Sequence, residues 1–145
     1  MASEPPRLFV DTWGWLVLED RKHPAHAEVE ALRRRDVERN VTWATTDYVL
    51  DETVTRLFAR RPFEEAERFC GAVFRARSSG LVLVESISPE RCEKAYRLRL
   101  RYRDKPRISF TDWTSFVVMK ELGIRQALTA DDHFTQVNPG FQVVP

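Results

Sequence analysis

Short apolar runs alternate along the chain with longer stretches of helical periodicity. RLFV at 7–10 reads as a buried strand, and the residues from about Thr12 onward open a helix. KHPAHAEVEALRRR predicts a second helix opened by Pro24, because proline fits a first helical turn. VTWATT at 41–46 has the β-branched content of a strand, and DYVLDETVTRLFAR then sets Val49, Leu50, Thr53, Val54 and Leu57 on one broad helical face. RPFEEAERFCGAVFRA predicts another helix, GLVLVESI a strand, and SPERCEKAYRLRLRY a helix with Ser88 as its cap. TDWTSFVVMKELG is a further helix ending at Gly123, before the short strands RQALT and FQVV. This alternation predicts an α/β fold. Phe58, Phe69, Phe74, Phe116 and Val117 are its expected core positions. No repeat, low-complexity segment or linker divides the chain, so residues 1–145 are expected to form a single domain.

Composition narrows the function classes. With 145 residues, 43% of them hydrophobic, the chain can bury a substantial core. Lys and Arg number 23 against 22 Asp and Glu, and the net charge of +1 suits neither a polybasic membrane binder nor an acidic tail. Any electrostatic message must therefore lie in how charge is distributed. Cys70 and Cys92 stand far apart and outside any C-x-x-C arrangement, which predicts neither a disulfide framework nor a zinc site. MASEPPR lacks the basic start and apolar middle of a signal peptide, and no apolar run nears the ~18 residues of a membrane span. A cytoplasmic protein without membrane association is the expectation.

The carboxylates fall into a pattern on this map. Asp11 ends the first strand, Glu52 lies about one turn into the helix after the second, Asp112 opens a late helix, and Asp131 follows the strand QALT. The carboxyl ends of parallel strands line one edge of a sheet, where ligands collect at a switch in strand order. Four acids distant in sequence can thus converge. Their convergence costs energy unless a hard divalent cation with oxygen ligands sits between them, and Mg²⁺ or Mn²⁺ is the natural occupant. His23, His26 and His133 supply no two-histidine motif beside the acids, which argues against zinc or non-haem iron. Such a cluster can activate water for phosphodiester hydrolysis. Each acid also has a plainer reading: Asp11 as a helix cap, Asp112 in an S-x-x-D capping box with Ser109, Asp131 as a turn cap, and Glu52 as a solvated helix residue.

FVDTWGWL, TTDYVLDETVTRL, ISFTDWTSFVVMKELGI and ALTADDHF, in this order, resemble the acidic motifs of PIN-domain ribonucleases, particularly the VapC-type toxins of toxin–antitoxin systems. The resemblance spans nearly the whole chain. It implies a three-layer α/β/α fold with a central, mainly parallel sheet, and a Mg²⁺- or Mn²⁺-dependent endoribonuclease. It further implies that Asp11, Asp112 and Asp131 hold the metal, while Glu52 completes the catalytic set or positions the attacking water. Thr12, Thr46, Ser109 and Thr129 fall at hydroxyl-bearing positions that would orient ligands or bound water, and Asp104 resembles a D-K element supporting the third motif. A cognate antitoxin that blocks the acidic pocket and a homodimeric assembly are the partners the resemblance implies.

Two tryptophans depart from the family pattern. Trp13 and Trp113 follow proposed ligands where smaller residues are usual; each ring either packs in the core or offers a face on which an unpaired RNA base stacks. Arg97, Arg99, Arg101 and Arg103 form a dense positive run before the third motif. It is either an RNA phosphate contact or a solvated helix face with cations near its C-terminus. Three other functions remain in view: a PIN nuclease of RNA processing outside a toxin pair, a non-catalytic RNA-binding module, and a phosphotransferase of the D-x-D-x-T type. The last lacks its signature, because DTWGW has no second Asp.

Overall fold

The computed structural model describes residues 4–137 and 140–145. The absence of a leader was read partly from residues 1–3, which lie outside that range. The elements follow the chain as β1 (Arg7–Val10), α1 (Thr12–Glu19), α2 (His26–Glu38), β2 (Thr42–Thr46), α3 (Asp47–Arg60) and α4 (Phe63–Ser78). After them come β3 (Val82–Glu85), α5 (Pro89–Arg101), α6 (Phe110–Leu122), β4 (Gln126–Leu128), α7 (His133–Val137) and β5 (Gln142–Val144).

All five strands join one parallel sheet in the order β3-β2-β1-β4-β5. The chain builds outward from β1 to β2 and β3, then returns to lay β4 against the other side of β1. Phe9 therefore stands beside Ala44 on one side and Ala127 on the other. That reversal makes β1 the topological switch point, and the crevice beyond its carboxyl end is where a parallel sheet accepts ligands. The helices complete the expected three-layer α/β/α architecture. α1 packs on α2 and α3, α3 packs on α4, and α5 pairs with α6.

Burial explains the apolar strands. Leu8, Phe9, Val10, Ala44, Ala127 and Leu128 are nearly or fully buried, as expected for strands covered on both faces. Every residue of α6 from Asp112 to Met119 is buried too. Within it the Thr114 and Ser115 hydroxyls are satisfied locally, both donating to the Thr111 carbonyl. α6 stops where Gly123 takes a left-handed conformation at φ 68°. Gly14 in α1 answers a different need, because a Cβ there would lie 2.9 Å from Leu128 Cδ2 and Val10 Cγ1. α1 thus leaves β1 by passing directly over the β1–β4 seam.

Several expectations need correction. α2 starts at His26, and Pro24 sits in the preceding turn. The turn expected at TADDHF continues into the one-turn helix α7. Phe58 and Phe74 are exposed rather than core, since they lie on the outer sides of α3 and α4; Phe58 instead stacks edge-on with Phe63 at 5.2 Å.

Candidate metal centre

Strand ends and helix starts bring all four predicted acids to one cleft of about 600 Å³. Asp11 occupies the position before α1, yet its carboxylate makes no side-chain capping bond. Instead it accepts a hydrogen bond from Thr129 Oγ1 at 2.9 Å. Thr129 also accepts from the Asp131 N–H at 3.1 Å, so one hydroxyl ties the acid after β1 to the acid after β4. Ser109 caps α6 by accepting from the Asp112 N–H, as the capping-box reading expected, and this fixes Asp112 at the cleft wall. Asp131 Oδ1 accepts from the His133 N–H and so caps α7. Both readings hold at once for these two acids: each is engaged at a helix start and still faces the cleft.

Burial and mutual repulsion make the cluster expensive to charge. Asp11 is only 7% exposed, and burial lifts its pKa from 3.8 to about 6. The Thr129 hydroxyl and the Thr12 N–H pull it back, while the charges on Glu52 and Asp131 push it further up. Asp112 rises well above the carboxylate range, first through burial and then through Asp11, Asp131 and Glu52. Buried carboxylates this close repel one another, and a divalent cation between them relieves the repulsion. The buried Thr12 Oγ1, which has no hydrogen-bond partner among the described residues, faces the same cleft. Oxygen donors in excess, high carboxylate pKa values and an orphaned hydroxyl together fit a hard divalent ion.

Arg56, Arg107 and His133 also line the cleft, without a functional assignment in the sequence. Arg56 pairs with Glu52 at 3.3 Å. Its position one helical turn after Glu52 was a legible signal. Arg107 also lines the cleft, five residues before Asp112, and no ion pair or hydrogen bond holds it among the described residues. His133 places Nδ1 2.9 Å from Asp131 Oδ1 and 3.6 Å from Asp112 Oδ2. A lone histidine two residues after Asp131 forms no two-histidine motif, so the sequence carried no metal-ligand signal for it.

Other expected contributors lie elsewhere. Thr46 is fully buried and accepts from the Val49 N–H, so it caps the helix bearing Glu52 rather than touching an acid. Asp104 is 78% exposed beside Lys105 and does not line the cleft. Trp113 is 0% exposed, stacked on Tyr102 and edge-on to Phe116, so it offers no face to a base and its RNA-stacking reading is corrected to a core role. Trp13 does line the cleft, partly exposed and edge-on to His23. Arg97, Arg99, Arg101 and Arg103 stand outside the cleft walls; Arg97 is paired with Glu93, and Arg99 donates to the Tyr102 carbonyl.

Comparison with known proteins shows likeness over most of the chain. The family model of the PIN domain matches residues 8–138. The 23S rRNA-specific endonuclease VapC20 of Mycobacterium tuberculosis is 32% identical over 135 residues, which is 88% of this chain and 92% of the relative. The crystal structure of that protein, described as a sarcin-ricin loop cleaving toxin, superposes with a TM-score of 0.76 at 30% identity, covering 90% of this chain and 95% of that one. DNA-bound VapBC from Salmonella typhimurium shares the fold at a TM-score of 0.68 and 13% identity, covering 96% of this chain and 97% of that one.

Proposed function

The chain belongs to the PIN-domain family, and from that premise we propose that it is a Mg²⁺- or Mn²⁺-dependent endoribonuclease acting on 23S ribosomal RNA as the toxin of a toxin–antitoxin pair. The observation that carries this reading is the meeting of Asp11, Glu52, Asp112 and Asp131 in one cleft at the switch point of the sheet. The 23S rRNA substrate is supported by the VapC20 relative, whose named activity is on that RNA.

A divalent ion held there supplies positive charge to the phosphate and acidifies water. Asp11, Asp112 and Asp131 would hold it, and Thr129 fixes the Asp11 carboxylate through its hydroxyl. Glu52 on α3 faces the same space and positions the attacking water, with Arg56 holding its carboxylate in place. Arg107, without an ion pair among the described residues, lines the cleft wall and meets the substrate phosphate, compensating its charge against the acids. The α5 arginines extend the positive surface away from the cleft, where flanking RNA passes.

The antitoxin partner is supported by the family resemblance and by VapC20 being described as a toxin. A homodimer suits Tyr96 and Leu100, which are 56% and 54% exposed and one turn apart on α5. No described helix is long and apolar enough to cross a membrane, and we assign the protein to the cytoplasm with its ribosomal substrate. Incubating purified protein with ribosomal RNA and Mg²⁺ or Mn²⁺ tests the activity. Discrete cleavage abolished by EDTA supports it; tight RNA binding without metal and without cleavage points to a non-catalytic module instead.

A further inference from the structure

Carboxylates alone account for the cation in the reading above, and they leave one nitrogen of the cleft unused. His133 Nδ1 is buried and has no hydrogen-bond partner among the described residues, although its side chain is 27% exposed overall. Its nearest polar neighbours are Asp131 Oδ1 at 2.9 Å and Asp112 Oδ2 at 3.6 Å. Asp131 Oδ1 already accepts from the His133 backbone N–H, which pins the start of α7 and with it the root of the imidazole. The ring is therefore held with Nδ1 turned toward two carboxylates without a hydrogen bond to either.

Ligand spacing explains such an arrangement. One donor atom each from Asp112, Asp131 and His133 lies within 4.8 Å of the others. Around an octahedral ion with ligands at ~2.1 Å, adjacent donors stand about 3.0 Å apart and opposite ones about 4.2 Å. The separations of 2.9 and 3.6 Å correspond to adjacent positions, the longer one shortening slightly when an ion draws the donors in.

We propose that His133 donates Nδ1 directly to the divalent cation held by Asp112 and Asp131, making the centre a mixed oxygen–nitrogen site. This rests on the nuclease reading for the presence of the cation, and it adds a selectivity. Mg²⁺ favours an all-oxygen shell, whereas imidazole is a good donor to transition-series ions. The centre therefore favours Mn²⁺ over Mg²⁺ by more than its carboxylates alone provide.

Pulsed electron paramagnetic resonance on the full chain loaded with Mn²⁺ tests this without reference to activity. The expected wild-type spectrum carries the ¹⁴N coupling of a directly bound imidazole, needs no variant to read, and disappears in Asp112→Asn together with Mn²⁺ binding. His133→Gln still binds Mn²⁺, about tenfold more weakly, without the nitrogen coupling and with a smaller loss for Mg²⁺. Mn²⁺ bound at the acids with no ¹⁴N coupling overturns the histidine ligand and leaves the nuclease reading standing. Coupling that persists in His133→Gln likewise overturns it. No Mn²⁺ binding at all overturns both.

Discussion

Thr129 Oγ1 donates to Asp11 Oδ2 at 2.9 Å, joining residues 118 positions apart. The bond ties together the carboxyl ends of the adjacent strands β1 and β4, on the wall of the cleft. Because it favours the charged carboxylate, Thr129 partly offsets the cost of burying Asp11. Replacing Thr129 by Val should keep the fold and weaken Mn²⁺ affinity by about ten- to a hundredfold, the usual loss when a partner of a ligand is removed. Calorimetric titration of the variant with Mn²⁺ checks this.

Asp11 carries a cost that is visible in its pH dependence. Its folded pKa of about 6 lies above the ordinary 3.8 of the unfolded chain, so the folded state binds more protons between those values. The contribution to stability is therefore fully present below pH ~4 and is lost as pH rises through about 6. The shift corresponds to roughly 3 kcal/mol at most. In EDTA, Asp11→Asn should accordingly be more stable than wild type at pH 7, with the difference shrinking toward pH 4. Thermal melts across that range measure it, and equal melting temperatures throughout would contradict the electrostatic account.

The fold was largely legible because its strands and helices differ so plainly in period. Asp11 is legible from the end of an apolar run and Asp112 from the start of a helix, and their convergence follows from a parallel sheet. What the sequence hid was direction. Trp113 follows Asp112 by one residue, and on a helix buried all round that single step turns the side chain from the cleft into the core. Thr46 likewise has the right residue type beside the right helix, but its hydroxyl is consumed as a cap. Arg107 and Asp104 lie three residues apart in one loop, and only the backbone path decides that Arg107 meets the cleft while Asp104 meets solvent.

Trp113→Ala should therefore cost about 3–5 kcal/mol of stability, the usual penalty for emptying a large core site. Urea denaturation reads that loss. A variant that stayed fully stable while losing RNA affinity would return Trp113 to the substrate surface.

Gly14 should tolerate no side chain. Alanine gains about 1 kcal/mol in helix propensity, but its Cβ would fall 2.9 Å from Leu128 and Val10, both fully buried and unable to withdraw. Overpacking of this kind costs about 1–3 kcal/mol, so Gly14→Ala should be destabilised on balance. Its denaturation midpoint, compared with wild type, checks the close passage of α1 over the β1–β4 seam.

Arg107 and the α5 arginines separate by their effect on RNA. Arg107→Gln should lower RNA affinity and reduce the slope of log affinity against log salt by about one. Replacing Arg97 and Arg101 together should change affinity less, because neither lines the cleft and Arg97 is already paired with Glu93. Filter binding at several salt concentrations, with metal omitted, measures both.

The central claim is that the four acids form a metal-dependent nuclease centre. Its most direct test is incubation of 23S ribosomal RNA with wild-type protein and with Asp11→Asn, each with Mn²⁺ and with EDTA, followed by chemical analysis of the new ends. The account predicts cleavage by wild type with Mn²⁺ alone, no cleavage by the folded variant, and products without a 2′,3′-cyclic phosphate, since water rather than the ribose hydroxyl attacks. Cleavage that survives in Asp11→Asn or in EDTA would contradict it.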